Sequence, residues 1–347
     1  MERKLGERND HAVVLCCDAG HLPFAAFVAN KIDCLEPDRR FDIVICVPEG
    51  TLIPDHLFSK TTKLVHLNVD HFSQLSLQRG WISNATFYRL LLPHTFRGQY
   101  EKLLYLDTDM YPRRPCIQQL FDETPSDVPL SGCLEPSQYL LRRQDRAHGV
   151  TKDRIRLLGS RDGRYFNAGL LLIAPDAFIL SDGVERFWHA YEDNLTVISQ
   201  FGEQDQGALN KAFSDEMREI SPIYNWHTGA LLNKTMVDEF NPAILHFAGR
   251  YKPWNVNEDP YISAFTKEYL TFFKKKRFPF TIAPALDSYI YRLQNPKYRL
   301  GAVNWVSSQL YLRRRKRHQR RNEFDDLAFK REAIRKLISR ADYEGGV

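Results

Sequence analysis

The chain has 347 residues, 43% of them hydrophobic and 26% charged, and a formal net charge of +5. That length can bury a large core, and the balance excludes a disordered or fibrous chain. No apolar run approaches the roughly 20 residues of a membrane-spanning helix, and Met1 to Asp10 lacks the apolar centre of a signal peptide, so a cytoplasmic protein is expected.

From the N-terminus, His11 to Cys17 and Phe41 to Val47 are short apolar runs rich in Val, Ile and Cys. Such runs predict strands buried on both faces. Pro23 to Cys34 has helical character, and Lys63 to Val69 predicts a further strand. This order indicates a parallel α/β sheet. Ser83 or Asn84 would cap a helix that Pro93 ends. Leu103 to Leu106 predicts the next strand. The acidic triplet Asp107-Thr108-Asp109 follows it directly, at the edge where open parallel sheets bind ligands. Farther on, Asp127 to Leu134 and Phe166 to Ile173 read as strands, Val184 to Leu195 and Gln204 to Phe213 as helices, and Ile244 to Ala248 as a last strand. No internal repeat interrupts this region.

After Pro284 the texture changes to Tyr, Trp, Leu and Arg closely mixed, as in Tyr289 to Leu293 and Trp305 to Leu312. The run Arg313 to Arg321 then concentrates seven cations. Beyond it Leu327, Ile334, Leu337 and Ile338 recur at helical spacing among Lys330, Arg331, Arg335, Lys336 and Arg340, which predicts a basic amphipathic helix. The expected division is a catalytic domain over 1–281 and an aromatic, basic membrane-association region over 282–347. Six cysteines, Cys16, Cys17, Cys34, Cys46, Cys116 and Cys133, show no metal-ligand spacing, and no disulfide framework is expected.

Two carboxylates one residue apart can share a divalent cation, because side chains i and i+2 of an extended segment lie on one face. Asp-x-Asp alone is a common solvent-exposed turn. Here a buried strand delivers both carboxylates to one edge, where uncompensated charge would be costly and a cation would offset it.

Four segments together resemble glycosyltransferase family eight, the group containing glycogenin and bacterial lipopolysaccharide galactosyl- and glucosyltransferases. They are Val14 to Asp18, Lys102 to Asp109, Tyr165 to Ile173, and the closing pair Glu203 to Asn210 with His246-Phe247-Ala248-Gly249-Arg250-Tyr251-Lys252-Pro253-Trp254. The resemblance implies a GT-A fold, a Rossmann-like mixed sheet flanked by helices, and a helical basic tail. It implies retention of anomeric configuration, a UDP-sugar donor and Mn²⁺, with Mg²⁺ as the alternative ion.

Residue by residue, the resemblance makes Asp107, Asp109 and His246 the metal ligands. It places Cys17, Asp18, Arg89, Thr108, Asn167, Asp205, Gln206, Gly249 and Lys252, with the two aspartates, around the donor. Glu135 stands where relatives carry an acidic residue toward sugar and acceptor. The loop after Asp18 departs from the pattern: Ala19-Gly20-His21 replaces Asp-Asn-Tyr and loses a side-chain amide. Gln206 matches the proposed nucleophile, yet an amide is a poor covalent partner. A front-face transfer is therefore favoured, with Gln206 and Asp205 orienting the sugar and stabilising positive charge. The expected function is transfer of a hexose or hexuronic acid to a surface glycan such as lipopolysaccharide core, by an enzyme peripheral on the cytoplasmic face of the inner membrane. Anionic lipid is expected to meet the tail, and nucleic acid is not. The alternative is a noncatalytic nucleotide-sugar sensor.

Overall fold

The computed structural model describes residues 9–72, 84–141, 146–228, 234–249, 252–254, 260–277 and 327–342. The aromatic segments around 289–293 and 305–312, the basic run 313–321 and Ser83 lie outside these residues. The chain divides into two compact units, residues 1–249 together with 337–347, and residues 250–336.

The first unit is built on a seven-stranded mixed sheet. Its strands are β1 (His11–Cys16), β2 (Asp42–Pro48), β3 (Thr62–Leu67), β4 (Lys102–Leu106), β6 (Leu130–Leu134), β7 (Phe166–Ile173) and β8 (Arg218–Glu219), in the order β3-β2-β1-β4-β7-β6-β8. Strands β1 to β4 pair in parallel. β7 runs antiparallel to both β4 and β6. Every residue of β4, β6 and β7 is buried, as central strands of a sheet covered on both faces are.

A smaller sheet has the order β5-β10-β9, from β5 (Met110–Pro112), β9 (Trp226–His227) and β10 (Ile244–His246). β5 follows β4 almost at once, so residues 107–109 form the corner where the chain leaves one sheet and enters the other. The triplet is a turn, closed by the Met110 N–H on the Asp107 carbonyl at 3.1 Å, and not the extended segment its i, i+2 spacing suggested.

The described α-helices of this unit before residue 249 are α1 (Leu22–Leu35), α2 (Leu92–Thr95), α3 (Ile117–Glu123), α4 (Ser137–Leu140), α5 (Arg146–Leu158), α6 (Pro175–Leu180), α7 (Gly183–Asp193), α8 (Leu195–Phe201), α9 (Asp205–Phe213) and α10 (Lys234–Phe240). Two expectations are corrected. Asn84–Leu91 is a 3₁₀ helix, and Pro93 lies in the first turn of α2 instead of ending a helix. Proline fits there because a first-turn N–H has no partner within the helix. The single helix expected over Val184 to Leu195 breaks at Asn194, whose side chain donates to the Ala190 carbonyl at 2.9 Å, and α8 starts afresh beyond it.

The basic amphipathic helix is observed over 327–342. Its final turns belong to the first unit. Leu337 packs on the main core, Ala341 is buried, and the Arg340 guanidinium meets the buried Glu219 carboxylate of β8 at 2.9 Å. In the second unit the helix Pro260–Lys275 carries Tyr269, whose ring meets Trp254 at 5.2 Å. No helix of the described residues is long and apolar enough to cross a membrane.

Candidate active site

Strand register brings the distant acidic and imidazole groups together. β10 runs antiparallel to β5 with His246 opposite Met110, and the Phe247 N–H reaches the Asp109 carbonyl at 3.1 Å. His246 Nε2 consequently lies 3.3 Å from Asp109 Oδ1. One ligand atom from each of Asp107, Asp109 and His246 falls within 4.8 Å of the others. A hard or borderline divalent cation suits two carboxylates and an imidazole.

The floor of this cluster is Gly169. The Asp107 N–H donates to the Gly169 carbonyl at 2.9 Å, extending the β4–β7 ladder. A Cβ at Gly169 would overlap His246 Cε1 and come within 3.0 Å of Asn167 Oδ1 and 3.1 Å of Asp107 Oδ2. The space beneath the three ligands is thus reserved for them. The residues fit a bound cation.

Asp107 is held from behind. Its Oδ1 accepts the Tyr105 hydroxyl at 2.6 Å and faces Arg89 at 3.2 Å. Burial pushes the Asp107 carboxyl above the usual carboxylate range and Asp109 adds to this, against Arg89, His246 and the Tyr105 hydrogen bond. Two carboxylates drawn out of water side by side resist ionising together, a conflict that a divalent cation removes.

Arg89 is 4% exposed. Its Nε donates to the Thr86 carbonyl at 2.8 Å and faces Asp205 at 3.3 Å, one terminal nitrogen donates to the Ala168 carbonyl, and its guanidinium carbon lies over the Tyr105 ring, 4.2 Å from the ring centre. Asp205 also accepts the Thr86 hydroxyl at 2.5 Å. Arg89 therefore ties the metal-facing Asp107 to the start of α9, which the expected donor contact alone does not describe.

A polar ring adjoins the cluster. Gln206 Oε1 accepts from the Ala168 N–H at 3.0 Å and from Asn167 Nδ2 at 3.2 Å, and Gln206 Nε2 donates to Glu203 at 3.1 Å. Glu203 pairs with Arg154 at 2.8 Å, and burial pushes its carboxyl up. Asn167 Nδ2 also donates to Glu135 at 2.9 Å. Burial acts to raise the Glu135 carboxyl, but His227, Arg154 and the Asn167 hydrogen bond outweigh it and hold it below the usual range.

The remaining expected residues are more scattered. Cys17 is buried beyond β1 and its N–H donates to the Cys46 carbonyl at 3.0 Å. Asp18 lies at the same sheet edge and accepts the His21 N–H at 3.0 Å. Thr108 is half-buried at the centre of the corner turn. Gly249 has a φ of 80°, in the left-handed region that glycine tolerates. Lys252 belongs to the second unit, with its ammonium 6.0 Å from the Trp254 ring centre.

A match to the family model described as glycosyl transferase family 8 covers residues 12–258. The chain belongs to this family. It is a glycosyltransferase. General stress protein A of Bacillus subtilis is 25% identical over 281 residues, spanning 72% of this chain and 89% of that relative. The lipopolysaccharide glucosyltransferase WaaO of Escherichia coli is 25% identical over 199 residues, and the match spans 56% of this chain and about half, 55%, of WaaO. Among solved structures, the galactosyltransferase LgtC in complex with donor and acceptor sugar analogues superposes with a TM-score of 0.58 at 21% identity, covering 80% of this chain and 99% of LgtC. That likeness identifies the GT-A fold.

Sequence motifs pointed to the family-8 cluster but not to its supports. Tyr105, Thr86, Asn225 and His227 carry no role in the sequence reading, and Gly169 stood there only as a letter in Asn-Ala-Gly. His227, opposite His246 in the β9–β10 pairing, meets it edge-on at 4.6 Å. Only an apolar strand ending in a polar residue at the same sheet edge could have flagged it.

Proposed function

We propose that this family-8 glycosyltransferase takes a hexose or hexuronic acid from a UDP-sugar, with Mn²⁺, and transfers it with retention to a surface glycan such as lipopolysaccharide core. The convergence of Asp107, Asp109 and His246 within 4.8 Å carries the reading. A cation held there would neutralise the diphosphate and favour its departure.

The protein's own groups supply positioning. Both hydrogen bonds accepted by Gln206 Oε1 come from the Asn167-Ala168 segment, which holds the amide oxygen as part of the wall and favours front-face transfer over covalent attack. On this reading the departing phosphate takes the proton of the acceptor hydroxyl. Asp205, anchored by Arg89 and Thr86, orients the sugar hydroxyls. Asp18 and Cys17 mark the base end at the edge of β1, Thr108 lies beside the ribose, and Gly249 meets the diphosphate; the role of Lys252 as a phosphate partner rests on the family motif alone. Glu135, kept ionised, faces the sugar and acceptor side.

The similarity to WaaO supports a lipopolysaccharide acceptor, and the cations of residues 313–321 support attachment to anionic lipid at the cytoplasmic face of the inner membrane. UDP release from a panel of UDP-sugars, with Mn²⁺ and after chelation, tests donor and ion together. Release from one or two donors, abolished by chelation and by Asp109→Ala, is expected. Gln206→Ala should retain measurable turnover. Complete loss with donor binding intact would point to covalent catalysis, and chelation-resistant release would sink the metal assignment.

A further inference from the structure

Asn225 lies between the 3₁₀ helix Pro222–Tyr224 and β9, is 2% exposed, and faces His246 Nδ1 through its Oδ1 at 2.9 Å. Which way each amide points follows from a group that can only donate. The Gly169 N–H points at Asn167 Oδ1 from 3.0 Å, so that atom is an oxygen. Asn225 approaches the same oxygen at 2.9 Å, and must present its NH₂. The other end of the Asn225 amide, facing His246, is then its carbonyl. Turning Asn167 over would set NH₂ against the Gly169 N–H and oxygen against the Glu135 carboxylate. Turning Asn225 over would set two oxygens together. Buried amides do not accept such contacts.

A carbonyl facing Nδ1 requires a proton on Nδ1. In the neutral ring Nε2 then carries the lone pair, and Nε2 is the atom 3.3 Å from Asp109. The bond made by one imidazole nitrogen thus determines what the other can do.

We propose that Asn225 is a positioning residue that fixes His246 in the Nδ1–H tautomer and aims the Nε2 lone pair at the two aspartates. The assignment deepens, and rests on, the reading of this cluster as a divalent-metal site. It extends the metal cluster backward through Asn225 and Asn167 to the backbone of Gly169.

Nitrogen-15 NMR of the full chain labelled at histidine, metal-free and in alkaline solution, tests this directly, with His246→Gln assigning the resonances. The expected pattern is a protonated Nδ1 and an unprotonated Nε2. Asn225→Leu should lose that pattern and bind Mn²⁺, followed by electron paramagnetic resonance of the unbound ion, about tenfold to a hundredfold more weakly. Asn225→Asp keeps an acceptor toward Nδ1 and should retain the tautomer, while its second oxygen, set against Asn167 Oδ1, loses that hydrogen bond and should lower stability. A wild-type ring protonated at Nε2 instead would overturn the proposal, and so would a folded Asn225→Leu protein with unchanged Mn²⁺ affinity. If Asn225→Leu does not fold, the wild-type spectrum decides alone. A wild-type protein with the expected tautomer but no Mn²⁺ binding upholds the role of Asn225 and removes the metal reading.

Discussion

One methyl group at Gly169 would occupy the volume that His246 and Asp107 share. Gly169→Ala is therefore expected to lower turnover by about a hundredfold or more while leaving far-ultraviolet circular dichroism unchanged, because the ligands move apart but β7 remains a strand. Near-native turnover would remove Gly169 from the site. A second residue-scale expectation concerns Asp42, which accepts Lys63 at 2.6 Å, Tyr100 at 2.7 Å and Asn9 at 2.7 Å. Burial acts to raise its carboxyl, but these hydrogen bonds prevail and hold it below the usual range. A depressed carboxyl stabilises the fold above its unfolded value, about 4, and that contribution is lost as pH falls through the lower folded value. Urea unfolding should find Asp42→Asn less stable than wild type at neutral pH, with the gap closing below the usual carboxylate range. An equal gap at all pH values would show that shape, not charge, matters there. The cluster of Asp107, Asp109 and His246 was legible because Asp-x-Asp and His-x-x-Gly-x-x-Lys-Pro-Trp stand out as motifs in the sequence. Asn225 was silent: a residue that acts by orienting another needs no motif, only a place opposite its partner after folding.

Among elements, β1 to β4, β6, β7 and β10 and the helices α1 and α9 announced themselves through apolar runs and helical spacing, and β7 falls on the expected Phe166 to Ile173, whereas α5 and the helix Pro260–Lys275 did not. The corner at Asp107 to Asp109 did not, because alternation cannot tell a strand end from a turn that begins the next strand. Nor did the docking of α9. Asn210, 1% exposed, accepts the Phe166 N–H at 2.6 Å and donates to the Phe166 carbonyl at 2.8 Å, so a side-chain amide completes the backbone ladder of β7. Replacing it by leucine leaves two buried backbone groups without those partners. Chemical denaturation of Asn210→Leu should show a loss of about 2–4 kcal/mol. A change below about 0.5 kcal/mol would mean that other groups satisfy the strand. Since α9 begins with Asp205 and Gln206, any shift of the helix should also raise KM for the donor.

At the scale of the molecule, helical spacing foresaw the helix over 327–342, but not that its final turns pack within the first unit. Periodicity marks an apolar face without saying what covers it, and for Leu337 and Ala341 the cover is protein. Two effects that a single truncation near residue 281 would merge can therefore be separated. Arg340→Ala should lower stability by about 1–2 kcal/mol, discounted because the arginine is partly exposed while Glu219 is buried. Neutralising the cations between Arg313 and Arg321 should leave stability unchanged and abolish flotation with anionic liposomes. Equal flotation of wild type and the neutralised protein would rule that run out as the anchor.

The order of the strands along the chain also sets when the cluster at the corner between the two sheets is complete. Every strand of the large sheet is encoded by residue 219, whereas the strand carrying His246 begins only at residue 244. During synthesis the nascent chain can complete its main sheet, with Asp107 and Asp109 already presented at its edge, before the imidazole has emerged. A growing or prematurely ended polypeptide accordingly lacks one residue of the three-residue cluster until nearly all of the family-8 region, residues 12–258, has been made.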